Sequence, residues 1–167
     1  MSALCLSVVS HAQTDLLNHF LADLSTSGAV AQIDRLVVTS NLPEAGIVVP
    51  ESVDVLHRRN PRPLGFAANH NQAFAACDQP FLCVANPDIR LEENPFPALL
   101  EAMERDPSIA VIAPKVVDPR HRPEDNARHF PTPWSLVRKA RGLDDGRYPE
   151  TMTGPTSVDW VAGMFLL

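Results

Sequence analysis

Two short segments carry residue types that could do chemistry. Asn86-Pro87-Asp88 follows the apolar run PFLCVA. Proline fixes its own φ and biases the residue before it toward extended backbone, so the Asp88 side chain is aimed reproducibly. One carboxylate at the end of a buried run suits a hard divalent cation, Mg²⁺ or Mn²⁺, which takes oxygen ligands and keeps waters or phosphates. The same residues also suit a plain turn, and spacing alone does not separate the two readings. In the second segment, Leu64-Gly65-Phe66-Ala67-Ala68-Asn69-His70-Asn71, a glycine opens a small-residue helix after a basic loop holding Arg58, Arg59 and Arg62. Free N–H groups and the helix dipole favour an anion there, and a diphosphate fits. The competing reading is a helix whose alanines let it pack closely on a sheet.

Other reactive side chains read more plainly. His11, His19, His57, His70, His121 and His129 show no His-x-x-x-His spacing. They read as surface or capping histidines, not as a zinc site. Cys5, Cys77 and Cys83 form no CxxC pair. They read as reduced, cytoplasmic thiols packed as small hydrophobes.

These residues need a frame to position them. The chain has 167 residues, 45% hydrophobic and 20% charged, which is a globular composition of one domain or slightly more. Its net charge of −6 argues against a nucleic-acid partner, whose affinity rests on Lys and Arg. No apolar run reaches the ~18–20 residues of a membrane span, and residues 1–10 lack the basic start of a signal peptide. Residues 4–10, 33–39, 52–57 and 80–85 read as strands, and 109–117 as a fifth apolar run. Helical spacing covers 14–25, with Thr14 as a cap, and helices are also expected over 65–77 and 95–105. This order predicts an α/β fold with a mostly parallel central sheet covered by helices on both faces. Ligands in such sheets bind beyond the carboxyl ends of the strands. Residues 1–117 read as the α/β region, 118–157 as a variable Pro/Arg-rich loop region, and 158–167 as the start of a further segment.

Three motifs in order resemble the family 2 glycosyltransferases, in their rhamnosyltransferase-like branch. They are LGFAANHNQAF, FLCVANPDIRL and the closing VDWVAGMFLL, with IAVIAPKVVD between the last two. The resemblance runs from Leu4 to Leu167. It implies a GT-A-like nucleotide-sugar-binding fold and transfer of a sugar from a nucleoside diphosphate (UDP, dTDP or GDP) to an acceptor hydroxyl. It implies a saccharide or lipid-linked acceptor, as in surface polysaccharide or glycolipid assembly. By position it makes Asp88 the ligand of a Mg²⁺ or Mn²⁺ ion. Gly65, Phe66 and Asn71 match the nucleotide-side helix motif. Ser10, Asn41 and Asn86 fall at strand ends on the nucleotide side, and Asp159, Trp160 and Gly163 match the segment beside sugar and acceptor.

Departures from that pattern shape the expectations. Many relatives carry Asp-Asn after the second strand, where this chain has Ser40-Asn41, so the choice of base is open. Asn69 replaces a family glycine, and asparagine tolerates left-handed backbone. The general base for acceptor activation is expected beyond Leu167, because Glu124-Asp125 and Asp144-Asp145 lie in the variable loop. A chain cut short there would be a donor-binding part only, or a non-catalytic nucleotide-binding or interaction module. Its apolar tail, Phe165-Leu166-Leu167, would then lack partners and favour a dimer. Arg138, Lys139 and Arg141 beside Trp134 read as a solvated face or as a peripheral contact with anionic lipid at the inner face of a membrane.

Overall fold

The computed structural model describes residues 4–143, 148 and 154–167. The chain divides into two compact units, one of residues 1–114 with 163–167 and one of residues 115–162.

The larger unit is an α/β sheet. Strands β1 (Leu4–Ser10), β2 (Ile33–Ser40), β3 (Asp54–Arg59) and β4 (Phe81–Ala85) run parallel in the order β3-β2-β1-β4. The central strand β1 alternates its contacts between two faces. Leu4, Leu6 and Val8 join α1 (Thr14–Thr26) and α3 (Phe96–Arg105) in one buried cluster. Cys5 lies with Val37 and Ala73 in a second, beneath α2 (Phe66–Phe74). Both faces of the sheet are therefore covered; β4 is wholly apolar and β1 nearly so, while β3 at the edge is mostly polar and partly exposed.

Two expectations about the later chain are corrected. Residues 109–117 form no strand; Ile112 alone exchanges backbone hydrogen bonds of 2.8 and 2.9 Å with Leu167. The fifth strand is instead β7 (Phe165–Leu166), antiparallel to β4. The apolar tail is thus not exposed. Phe165 and Leu167 are buried, and the Phe165 ring lies 5.8 Å from that of Phe96. Joining the sheet edge gives the tail its packing partners and removes the apolar patch on which association through it would rest.

Local chemistry corrects three further expectations. Thr14 does not cap α1; its hydroxyl donates to Glu44 Oε2 at 3.0 Å. Arg58 and Arg59 belong to β3 and not to a loop. Cys5 and Cys77 are joined as a disulfide with Cα atoms 6.1 Å apart, leaving only Cys83 as a free, buried thiol. The pairing was invisible because 72 residues separate the partners; only the packing of α2 on β1 brings them together.

In the smaller unit, β5 (Ala127–Arg128) pairs antiparallel with β6 (Trp160–Val161), and α4 (Pro133–Ala140) lies between them in sequence. Thr132 and Ser135 cap α4 reciprocally. Asp144 and Asp145 lie outside the described residues.

Candidate donor-binding site

A cleft of about 320 Å³ opens where the carboxyl ends of β1 and β4 diverge. Its walls come from the β1 end (Val9, His11, Gln13), from Asn41 and Leu64, from the start of α2 (Phe66, Asn69, His70) and from residues 85–88 after β4. This is the crevice that parallel topology creates beyond the strand ends.

The β4 corner is a turn. Ile89 N–H reaches back toward Asn86 O at 3.5 Å, and Pro87 is buried. Asn86 N–H donates to Met164 O at 2.9 Å, so the stretch entering β7 braces the corner. Asp88 is exposed on the cleft, and among the described residues its carboxylate takes no hydrogen bond. The turn and the available carboxylate are one structure: the turn is what presents the side chain. Two residues further on, Arg90 donates to both carboxylate oxygens of Asp23 at 2.6 and 2.9 Å, and Leu91 N–H adds a third bond at 3.1 Å. The Arg90 bond holds the Asp23 carboxyl below the usual range. Asp23 therefore pins the loop after Asp88 to α1. Nothing in the sequence marked it; its place inside an amphipathic helix hides a clamp 67 residues away.

At the β2 corner the polar groups are already engaged. Asn41 Nδ2 donates to Leu64 O at 3.0 Å and lies 3.0 Å from His11 Nδ1, while its Oδ1 accepts from Asn60 Nδ2 and Leu64 N–H, both at 2.8 Å. Two donors and two acceptor sites are the whole capacity of an amide side chain. Asn60 Nδ2 also donates to Asn69 Oδ1 at 2.7 Å, which ties α2 into the same network. Asn69 sits inside α2 and is buried, so a left-handed backbone plays no part in its choice. Ser40 Oγ lies 2.9 Å from His57 Nε2, away from the cleft lining.

The other candidates fall as follows. Ser10 Oγ is buried, donates to Glu44 Oε2 at 2.7 Å and accepts from Gln13 N–H at 3.1 Å, which builds the turn into α1. Gly65 caps α2 with extended backbone, and a Cβ there would meet nothing within 4 Å. Phe66 is half exposed on the cleft. Asn71 is exposed on α2 but does not line the cleft. Gly163 lies under Phe66, where an added Cβ would stand 3.2 Å from the ring. Asp159 and Trp160 belong to the smaller unit. There Asp159 accepts from Phe130 N–H at 2.9 Å, with His129 Nδ1 at 3.2 Å, and the Phe130 bond foremost lowers its pKa. Trp160 is half buried in β6.

One histidine, His70, departs from the surface reading. His57 is exposed on β3 in keeping with it, 2.9 Å from Ser40 Oγ, and partial desolvation lowers its pKa. His70 is only 5% exposed, and burial pushes its pKa down to about 4.

A mostly parallel α/β sheet with a cleft at its strand ends, lined by one available carboxylate beside amides and imidazoles, has the architecture in which ligands bind at the carboxyl ends of the strands. The family model of glycosyl transferase family 2 matches residues 23–157, well over half of the chain, so the chain belongs to that family and its sheet is GT-A-like. No curated protein matches the chain.

Proposed function

We propose that the cleft binds a nucleoside-diphosphate sugar and that the protein passes the sugar to an acceptor hydroxyl in a rhamnosyltransferase-like reaction of polysaccharide or glycolipid assembly. The observation that carries this reading is Asp88: an exposed carboxylate without a partner among the described residues, braced at the mouth of a strand-edge cleft. Its donor set suits Mg²⁺ or Mn²⁺. Among the described residues no group of three or more His, Cys, Asp or Glu could hold an ion, so Asp88 would share the ion with diphosphate oxygens and water. When bound, such an ion supplies neutralisation of the charge on the leaving diphosphate. The chain's own contribution is positional. Asp23 fixes the loop after Asp88, the start of α2, which has no side-chain cap, offers free N–H groups to an anion, and Phe66 offers the cleft an aromatic face. Among the described residues Asp88 is the one carboxylate on the cleft lining, and no second carboxylate is assigned there as the base that takes the acceptor's proton. That also keeps a second reading, a nucleotide-binding module without transfer. In the first reading Asp159 and Trp160 shape the acceptor side.

A peripheral contact with membrane is supported by α4. Trp134, Leu136 and Val137 are exposed on it, with Arg138, Lys139 and Arg141 at their flanks. An apolar stripe edged by basic residues suits an anionic lipid interface. No described helix is long and apolar enough to cross a membrane.

Thermal unfolding with UDP, dTDP and GDP, each with and without Mn²⁺, tests the donor reading. A ligand at about 100 times its Kd adds roughly 2.7 kcal/mol, a rise of roughly 5–10 °C for a chain of this size. The expected result is a rise with one nucleotide that needs Mn²⁺ and disappears in Asp88→Ala, with Mn²⁺ alone inert. No rise with any nucleotide overturns the reading. A rise without sugar transfer to any acceptor favours the binding module.

A further inference from the structure

His70 lines the cleft, yet neither the turn at Asp88 nor the asparagine network uses it. Its Nδ1 lies 2.8 Å from the hydroxyl oxygen of Ser7, on the buried face of β1. Its Nε2 is buried and has no partner among the described residues. The pair fixes the tautomer. Ser7 Oγ has no other hydrogen-bond partner among the described residues. If Ser7 donates to Nδ1, the hydroxyl proton is satisfied and the ring proton resides on Nε2. If Nδ1 donated instead, the hydroxyl proton would be left buried and unpaired, at additional cost. The imidazole is then a neutral ring with an N–H donor held unpaired at the cleft wall.

An unpaired buried donor is costly, and native proteins retain few of them. Beside it stands Phe66, whose ring is edge-on to the imidazole with centroids 4.4 Å apart. Phe66 is 52% exposed, so its ring can turn without unpacking the core.

We propose that His70 is a positioning residue of the donor site: with Phe66 turned aside, its Nε2–H donates to an oxygen of the bound nucleoside diphosphate. The proposal rests on the reading that the cleft takes such a ligand. Depressed basicity from burial keeps the ring neutral at physiological pH, which preserves the Ser7 bond while Nε2 donates.

The test is a comparison of the intact chain with the Ser7→Ala/His70→Leu double variant. Replacing both partners removes the buried polar pair together, so the nucleotide-free melting temperature should be unchanged or higher. Affinity for whichever of UDP, dTDP and GDP the intact chain binds, with Mn²⁺, should fall ten- to a hundredfold by calorimetry. His70→Gln, which retains an N–H donor, should recover part of it. In ¹⁵N-histidine spectra of the intact chain, the nucleotide with Mg²⁺ should shift the His70 Nε2–H signal. A double variant that folds and binds within twofold of the intact chain overturns the proposal and leaves the donor reading standing. If the double variant does not fold, an Nε2–H signal unmoved by saturating nucleotide overturns it. An intact chain that binds none of the three nucleotides overturns both.

Discussion

Two corners of one sheet, Ser40-Asn41 after β2 and Asn86-Pro87-Asp88 after β4, carry similar polar residues with opposite fates. At the first, every donor and acceptor of the Asn41 side chain meets another part of the protein. At the second, backbone bonds make the turn and the Asp88 carboxylate is left over. A side chain whose hydrogen-bonding capacity is filled internally builds the cleft; one whose capacity is open can meet a ligand. His70 combines both, with Nδ1 spent on Ser7 and Nε2 open.

The sharpest way to break this contrast is to delete each corner in turn. Asn41→Ala should cost about 2–4 kcal/mol, because a buried side chain is lost and several part-buried partners lose their bonds at once. Asp88→Ala should stay within about 0.5 kcal/mol without nucleotide, as for an exposed side chain that touches little. Chemical denaturation measures both, and equal losses would erase the distinction.

Next in size is acid sensitivity. The folded-state pKa of His70, about 4, lies below the unfolded value near 6.5. Its contribution is therefore complete above pH 6.5 and is lost as the unfolded chain takes up a proton between about 6.5 and 4. About 3 kcal/mol should disappear in that window, from about 2.5 pKa units at about 1.4 kcal/mol each, and the Ser7→Ala/His70→Leu variant should show a flatter profile. Asp23→Asn is expected to cost about 1 kcal/mol, since Arg90 is largely solvent-exposed. The lowered pKa of Asp23 puts its own loss below about pH 4, as pH falls through the folded value. The same variant should weaken metal-dependent nucleotide binding by loosening the loop after Asp88. Smaller than the Asp23 loss is that of Gly163→Ala, which forces the Phe66 ring to give by a few tenths of an ångström. Less than about 1 kcal/mol should be lost, with a change in Phe66 aromatic shifts by NMR.

Much of this was legible in the residues. The strands at 4–10 and 33–40 and the helices starting near 14 and 96 follow from apolar period and punctuation, which are local signals. Asp88 was visible because proline and turn chemistry surround it. What could not be read depends on partners distant in sequence: Cys5 with Cys77, Asp23 with Arg90, His70 with Ser7. Each looks ordinary in its own window. Residues 109–117 failed for a related reason, since an apolar run becomes a strand only where a sheet edge accepts it. Ser10 and Asn41 were placed at the right strand ends, but position in a sequence does not tell whether a polar group is already spent.

The short strand β7 has a consequence for synthesis. Eighty residues separate Ala85 from its pairing partner Phe165. On the ribosome, β4 therefore emerges as an open sheet edge and remains so while the whole 115–162 unit is made. At translation speeds of ~5–20 residues per second that is several seconds of exposed backbone donors and acceptors. The nascent chain is most vulnerable to edge-to-edge association during this interval, and slowing elongation across 115–162 would lengthen it.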